Sequence, residues 1–378
     1  MFMKIGILSL VLHSNYGGIL QSYALQTVLE RMGHNVIVLN RNKVLHKKFS
    51  QEIRSYVKYL LKRYLLRKNI IYKSTNQKNK ERYEREINTR AFIEKYIHTR
   101  MVKGITNETF REVHAVVVGS DQVWRPRYFK EQWNTDIEDA YLRFLVDGKL
   151  KRMSYAASFG TDDWEYNEED TQKCKHLLQK FNAVSVREQS GVELCEKYLG
   201  CKDVRWVLDP TMLLSKEDYE SLIPQGMKVS GDLMCYILDN NPVVSSFIKR
   251  VAEEGDYKAF YANSMVNDAK LSNRKRILPP VEQWLAGFRD ARLIITDSFH
   301  ACVFSILFHK PFIVIGNRKR GYSRFESLLK MFGLENRLIE DVAQFDQSML
   351  NPIPEDVYNK LEEYRKESLE FLNKALTD

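Results

Sequence analysis

The chain has little cysteine, proline or glycine for its length. Its 378 residues include 5 Cys, 9 Pro and 17 Gly. So few Pro and Gly exclude collagen-like and linker-rich proteins. The odd cysteine count, with no CxxC pair and no His/Cys cluster at zinc spacing, favours reduced, buried thiols over a disulfide framework or a zinc site. We therefore expect no bound metal.

A long apolar segment is missing from the N-terminus. The start, MFMKIGILSLVLHSNYGG, has about ten apolar residues before polar ones interrupt, too few for a membrane span, and it has no small-residue cleavage site. We expect a cytoplasmic protein whose first strand begins almost at once. The hydrophobic content of 44% predicts a packed globular protein. Since one core rarely serves more than about 250 to 300 residues, the length predicts two domains.

The positive charge is concentrated in one segment. The formal net charge is +9, whereas residues 41–103 alone hold 19 Lys and Arg against 5 Asp and Glu. Residues 44–100 are helical in pattern, and VKYLLKRYLLRKNIIY is their most amphipathic part. Either this helix contacts the anionic inner face of a membrane, or its apolar side packs on the N-terminal domain. No recognised nucleic-acid-binding module is present, so we expect no nucleic-acid partner.

The order of apolar runs predicts an α/β fold. A strand-like run from Lys4 to Leu12 is followed by the loop HSNYGG, a helical stretch and the strand VIVLN. The same alternation recurs from LMCYILD to PFIVIGN, and a long helix ends the chain. We predict two Rossmann-like domains that face a cleft. The predicted units are an N-terminal domain over 1–205 with a basic insertion at 44–100, a C-terminal domain over 206–350 and a C-terminal helix over 351–378.

The loop HSNYGG follows the first strand, at the edge of the sheet where doubly wound folds bind ligands. Gly17 and Gly18 would let backbone N–H groups approach an anion at the start of the next helix. Asn15 and Tyr16 either cap that helix or contact a sugar. The alternative is a tight turn in which the glycines only satisfy the backbone angles.

Two further loops follow strands. In GSDQVWRP, Ser120 and Asp121 either cap the next segment or join Trp124 in binding a sugar acceptor, and the flat aromatic ring favours the acceptor. In SVREQS, Arg187 presents a fork that fits a carboxylate or a phosphate. Its alternative is an ion pair with Glu188 or with the interdomain surface.

The stretch TDSFH places Asp297, Ser298 and His300 between a predicted strand and an apolar helix. Alone, a histidine at such a joint is more often structural, and Asp297 or Ser298 is more often a helix cap. A basic group that includes Arg318 and Arg324 follows the next strand, either as a solvated loop or as part of an anion site. Together with facing arginines, the stretch favours chemistry at His300.

Five motifs in this order resemble the polysaccharide pyruvyl transferase family: NYGGILQSYALQ, VVGSDQVW, SVREQSG, VLDPTMLL and TDSFHACVFSILFHKPF. The resemblance runs from residue 4 to about residue 335. It implies a fold like that of the two-domain GT-B glycosyltransferases. It also implies transfer of pyruvate from phosphoenolpyruvate, as co-substrate and without a further cofactor, to a sugar of a polysaccharide or its lipid-linked precursor, as in exopolysaccharide or capsule synthesis.

The resemblance assigns roles to particular residues. His300 matches the family's essential histidine, and Arg187 matches an arginine assigned to the donor's charged groups. Ser298 stands where better studied members have an arginine, so Arg318 or Arg324 would supply that cation.

Phosphoenolpyruvate needs fixed cations, and protonation of its methylene carbon needs a group that titrates near neutrality. We predict His300 as general acid, oriented by Asp297. The predicted donor-binding residues are Arg187, Ser298, Arg318, Arg324, Gly17 and Gly18. The predicted acceptor-binding residues are Asn15, Tyr16, Ser120, Asp121 and Trp124.

Two other classes of protein stay open. A GT-B glycosyltransferase would share the fold and cleft but would require a nucleotide sugar. A non-catalytic glycan- or membrane-binding protein would keep the GSDQVW loop and the basic helix but would tolerate loss of His300. Fold analogy does not choose among these classes, whereas donor binding does.

Overall fold

The computed structural model describes most of the chain. The described residues are 2–42, 48–67, 72–146, 148, 150–239, 241–263, 276–316 and 321–377. They form two five-stranded sheets, one two-stranded sheet and the helices that cover them. Every strand pair in these sheets is parallel. The predicted α/β class is confirmed.

The first sheet forms the N-terminal half. Its strands are β1 (Lys4–Leu8), β2 (Asn35–Asn40), β3 (Thr99–Met101), β4 (Ala115–Val118) and β5 (Lys151–Ser154), in the order β3-β2-β1-β4-β5. The runs KIGIL of β1 and AVVV of β4 are buried almost throughout, as expected for strands covered on both faces. The two-stranded sheet of β6 (Val184–Val186) and β7 (Val204–Trp206) continues it beyond β5 through isolated bridges.

The second sheet forms the C-terminal half. Its strands are β8 (Leu233–Tyr236), β9 (Ala259–Tyr261), β10 (Leu293–Thr296), β11 (Phe312–Ile315) and β12 (Leu338–Ile339), in the order β12-β11-β10-β8-β9. β10 is central and wholly buried. Because all strands run the same way, the loops after β8, β10 and β11 lie at one edge of the sheet.

Helices connect and cover the strands. Those in the described residues are α1 (Tyr16–Arg31), α2 (Phe49–Leu60), α3 (Thr75–Arg85), α4 (Ile87–Tyr96), α5 (Pro126–Trp133), α6 (Glu168–Leu178), α7 (Gln189–Leu199), α8 (Lys216–Glu220), α9 (Pro242–Glu254), α10 (Val281–Asp290), α11 (Phe299–Leu307), α12 (Tyr322–Phe332) and α13 (Asp356–Thr377). α11 is buried along its whole length because its sequence, FHACVFSIL, is apolar on nearly every side. His300 is the basic side chain of this core helix.

The chain crosses between the halves twice. The first crossing follows β7, and the second is α13, which returns from the C-terminal half. Ser368 of α13 accepts a hydrogen bond from the Leu208 amide (3.0 Å), and Arg365 Nε donates to the Met212 carbonyl (2.8 Å). Near the end of α13, the Leu376 carbonyl accepts from Lys151 Nζ of β5 (2.6 Å). The two crossings are therefore bound to each other.

The basic insertion at 44–100 contains α2, α3 and α4 and ends in β3, which joins the sheet edge. Its helical character agrees with the sequence pattern, which does not predict the separate helices or β3. Among the described helices, none combines the length and hydropathy that crossing a bilayer requires. The predicted division into domains at 205/206 and 350/351 stays a prediction.

Candidate active site

The first turns of α1 and α11 meet where the two sheets face each other. The imidazole of His300 lies directly against the backbone of Gly17: a Cβ atom built there would lie 2.0 Å from His300 Nδ1. Only glycine allows so close an approach. The HSNYGG loop and the TDSFH joint, far apart in sequence, therefore form one site.

Asp209 supplies the carboxylate that faces this histidine. Its Oδ2 lies 3.7 Å from His300 Nε2, and both side chains are buried. Asp209 Oδ1 accepts hydrogen bonds from the amide (3.0 Å) and hydroxyl (2.6 Å) of Thr211, so the carboxylate is fixed at the start of a short 3₁₀ turn. Asp209 belongs to the VLDPTMLL motif at the first domain crossing.

Arg187 lies on the other side of this carboxylate. Its Nη1 donates to Asp209 Oδ2 at 2.7 Å, and its Nη2 lies 3.6 Å from Asp121 Oδ1. Burial lowers the pKa of the guanidinium, but the carboxylates of Asp209, Asp121 and Glu188 outweigh burial and raise it. Within the described residues, Nε and Nη2 of Arg187 and Nε2 of His300 have no hydrogen-bond partner. The site thus contains buried polar atoms that a ligand would satisfy.

Gln21 of α1 completes the set of groups around Asp209. Its Nε2 donates to Asp209 Oδ2 (2.5 Å) and to Ser120 Oγ (3.0 Å). Burial raises the pKa of the Asp209 carboxyl, but His300 and the charge of Arg187 outweigh burial and hold that pKa well below its usual range. Asp209 is therefore ionised at neutral pH. Sequence reasoning missed both Gln21 and Asp209, although both lie in motifs that carried the family resemblance.

Phe299 lies beside two arginines. The guanidinium carbon of Arg187 is 4.6 Å from its ring centroid, and that of Arg324 is 5.3 Å away. Burial, aided by the charge of Arg187, lowers the pKa of Arg324 to about 10, so it stays charged at neutral pH. Arg324 comes from α12 in the C-terminal half and Arg187 from the loop after β6. The structure therefore brings two of the predicted donor-binding cations together; Arg318 lies outside the described residues.

The prediction that Asp297 orients His300 is wrong. Asp297 Oδ1 and Oδ2 accept hydrogen bonds from the amides of Leu238 (2.7 Å) and Asp239 (2.8 Å), which places this carboxylate on the loop after β8. Ser298 precedes α11, and its amide donates to Thr296 Oγ1 (3.0 Å). Asp297 therefore fixes the loop, and Asp209 faces the histidine.

Two aromatic residues predicted to bind the acceptor are also corrected. Trp124 is fully buried, stacks on Tyr141 with ring centroids 5.1 Å apart, and donates its Nε1–H to the Ala140 carbonyl. Tyr16 is buried against Trp284, and its hydroxyl donates to the Pro279 carbonyl at 2.7 Å. Neither ring presents a face to a sugar.

The other predicted acceptor residues differ in how exposed they are. Ser120 is buried, and its hydroxyl donates to the Ala156 carbonyl (2.9 Å) while accepting from Gln21; its acceptor role stays a prediction. Asn15 is exposed at the rim, and its Nδ2 donates to Asp121 Oδ2 at 3.2 Å. A Cβ on Gly18 would meet Asn15 Nδ2 at 3.1 Å, so Gly18 also lies at this rim. Among the residues that the structure describes, no cluster of His, Cys, Asp and Glu is placed to hold a metal ion.

Two parallel sheets whose loops meet at an interdomain site define the GT-B class of fold. A crystal structure of UDP-N-acetylglucosamine 2-epimerase has a TM-score of 0.50 to this chain at 12% identity, over 99% of this chain and 95% of that one. The UDP-GlcNAc 2-epimerase from Neisseria meningitidis aligns with a TM-score of 0.45 at 10% identity, over 99% and 94% of the two chains. The wall teichoic acid polymerase TagF aligns with a TM-score of 0.45 at 11% identity, over 99% and 89%. The first of these likenesses supports the fold alone.

The family of the chain follows from its sequence. The model of the family described as polysaccharide pyruvyl transferase matches residues 15–319. The chain belongs to the polysaccharide pyruvyl transferase family. Among curated proteins, none matches the chain.

Proposed function

We propose that this chain transfers pyruvate from phosphoenolpyruvate to a sugar during polysaccharide synthesis, forming a ketal. Membership of the family supports a pyruvyl transferase. The observation that carries the choice of donor is the juxtaposition of a buried histidine, His300, with the buried guanidinium groups of Arg187 and Arg324. This combination offers a proton and two cations to the same small anion.

The two arginines suit the charges of phosphoenolpyruvate. The donor carries a phosphate and a carboxylate, and both groups form strong charge-assisted bonds with guanidinium forks. Two nitrogens of Arg187, Nε and Nη2, have no hydrogen-bond partner in the described residues. The lowered pKa of Arg324 means that its charged form is costly in this site, so a bound anion would stabilise it.

His300 acts as the general acid in this proposal. Its imidazolium donates a proton to the methylene carbon, a sugar hydroxyl adds to the neighbouring carbon, and the bond from that carbon to the phosphate oxygen breaks. A second hydroxyl then adds to the same carbon and closes the ketal. One of the two hydroxyl protons restores the imidazolium, and the other leaves with phosphate.

Asp209 is a positioning residue for this step. Its ionised carboxylate lies 3.7 Å from His300 Nε2 and stabilises the positive charge of the imidazolium. Gln21 and Arg187 hold the carboxylate from two other sides at 2.5 and 2.7 Å. These contacts fix the carboxylate beside the histidine.

Substrates would enter when the two halves separate. The side chains of His300 and Arg187 are 8% and 2% exposed in this conformation. The α7 and α12 side of the joint includes a hydrogen bond from the Gln189 amide to Ser327 Oγ (3.2 Å). We propose that opening at this joint admits the donor, and that closing excludes water.

A nucleotide sugar is the alternative donor. A second cleft, of about 630 Å³, lies at the carboxyl ends of the second sheet, and Arg187 and Arg324 are not among the described residues that line it. Binding measurements with both kinds of donor separate the two functions.

Calorimetric titration with phosphoenolpyruvate and, separately, with UDP-sugars tests the donor. We expect phosphoenolpyruvate to bind, and Arg324→Met to weaken that binding. His300→Gln should keep donor binding but slow acceptor-dependent phosphate release by ~10²- to 10⁴-fold, the usual contribution of a positioned proton donor. His176→Gln, at an exposed histidine of α6, is the matched control. Binding of a UDP-sugar in place of phosphoenolpyruvate would assign the chain to another reaction.

A further inference from the structure

We propose that α2 and the π-helical turn after it (Leu61–Leu65) bind an anionic lipid surface. This segment, residues 48–67, is called the basic arm below. It belongs to the insertion between β2 and β3, and no residue of α2 is buried. Its exposed apolar face and its positive charge are the two features that suit it to an anionic lipid surface.

The apolar face of the basic arm points away from the protein. Phe49 is 82% exposed, Val57 47% and Tyr64 71%. Their spacing of eight and then seven residues places them on one side of a helix, where Ile53 and Leu60 also lie. An apolar face that packed on the N-terminal domain would be covered, and this one is not. The packing alternative for this helix is therefore wrong.

A different side of α2 is attached to the segment that leads into α3. Glu52 accepts hydrogen bonds from the Tyr72 hydroxyl (2.8 Å) and from the amide (2.8 Å) and hydroxyl (2.5 Å) of Thr75. The rings of Tyr56 and Tyr59 pack on Tyr72, with centroids 4.9 and 5.4 Å apart. Because these contacts hold the helix by its Glu52 side, they fix the apolar face outward.

The charges of the basic arm select an anionic partner. It carries six basic residues and one acidic residue, Glu52, which is turned toward the fold. The basic residues are Lys48, Arg54, Lys58, Lys62, Arg63 and Arg67. Basic side chains flanking an apolar and aromatic face are the pattern of helices that lie in the headgroup region of a bilayer. A second copy of the chain would bring the same positive charge against it, which disfavours self-association through this face.

The insertion that contains the basic arm follows β2, whose end lies next to the HSNYGG loop. Asn40, the last residue of β2, accepts a hydrogen bond from the Leu12 amide at 3.1 Å, and the HSNYGG loop follows Leu12 directly. A membrane bound by the arm would give the enzyme access to a lipid-linked sugar. That last step rests on the proposed function, whereas lipid binding does not.

Flotation of the full chain with lipid vesicles tests the proposal. We expect binding to vesicles of phosphatidylcholine and phosphatidylglycerol mixed three to one, and little binding to phosphatidylcholine alone. Each basic residue near such a surface contributes about fivefold, so Arg54→Gln/Lys58→Gln/Lys62→Gln should weaken binding by on the order of a hundredfold. Phe49→Ser/Val57→Ser/Tyr64→Ser should weaken it at least about tenfold, because the apolar anchor is lost.

The matched control removes three exposed lysines elsewhere: Lys202→Gln/Lys228→Gln/Lys366→Gln has the same net charge as the basic-arm variant. It should float with anionic vesicles much as the parent does. Equal loss in both charge variants would mean that net charge alone drives binding, and would overturn the proposal. Retained binding by the Phe49→Ser/Val57→Ser/Tyr64→Ser variant, or self-association of the parent that this variant abolishes, would also overturn it. Donor binding, measured separately, is expected to be unchanged in all three variants.

Discussion

Replacing Gly17 with alanine should slow the reaction about a hundredfold while leaving the protein folded. The new Cβ would lie 2.0 Å from His300 Nδ1 and 2.2 Å from Cγ, whereas ordinary contact begins at 3.4 Å. The imidazole must therefore move by about 1.4 Å, because an atom pair cannot stay that far inside its contact distance. α11 is buried on all sides, so the ring has to leave its place beside Asp209.

The size of the effect follows from this displacement. A misplacement of about 1 Å in a catalytic group costs ~10²-fold, which we expect to appear in kcat. Within α1, alanine is favoured over glycine by roughly 0.5–1 kcal/mol, which opposes the local cost of the clash. The thermal unfolding midpoint should accordingly change little compared with the rate.

The assay is release of phosphate from phosphoenolpyruvate in the presence of the acceptor. Gly18→Ala is the comparison one residue on: its Cβ would meet the flexible end of Asn15 at 3.1 Å, so we expect a much smaller loss. The decisive step is a double-mutant cycle with His300→Gln. If Gly17→Ala acts through the imidazole, it adds no further loss in that background. A second hundredfold loss there, or full activity of Gly17→Ala alone, would refute the reasoning.

Three more outcomes are expected. Asp209→Asn should destabilise the fold by about 3–5 kcal/mol at neutral pH, because Arg187 and His300 lose a buried partner. Since the pKa of Asp209 is lowered in the folded protein, the stability difference measured by urea titration should shrink as the pH falls below about 4. A difference that stays constant with pH would contradict this. Trp124→Phe should lower stability by about 1–3 kcal/mol but leave the acceptor KM unchanged, and a raised KM would restore its acceptor role. Asp297→Asn should cost about 1 kcal/mol without shifting the pH profile of kcat, whereas a shifted profile would link it to His300.

The fold and the position of the site could be predicted because local patterns determine them. The apolar runs of β1 and β4 read as doubly covered strands, and parallel strands place their following loops at one edge. Arg187 lies in such a loop, His300 lies in the first turn of the helix that follows one, and both side chains face Asp209. The family match agrees with the same motifs.

The partners within the site could not be predicted, because they depend on directions that only the folded chain defines. Asp297 is three residues from His300 yet turns toward the loop after β8, while Asp209 reaches His300 across the first domain crossing. Gln21 lies in helix α1, and the apolar pattern of that helix does not predict that Gln21 will contact Asp209 and Ser120. Trp124 follows a polar loop and is buried against Tyr141. The sequence of the loop does not predict this contact.

The double crossing of the chain restricts how the halves can move. A single connecting strand would let one half swivel freely against the other. Here the segment after β7 and α13 are joined by the Leu208–Ser368 and Met212–Arg365 hydrogen bonds. If the halves open as proposed, this double connection would let them bend about one axis and would resist twisting. Arg324 on one half and Arg187 on the other would then return to the same alignment after each opening.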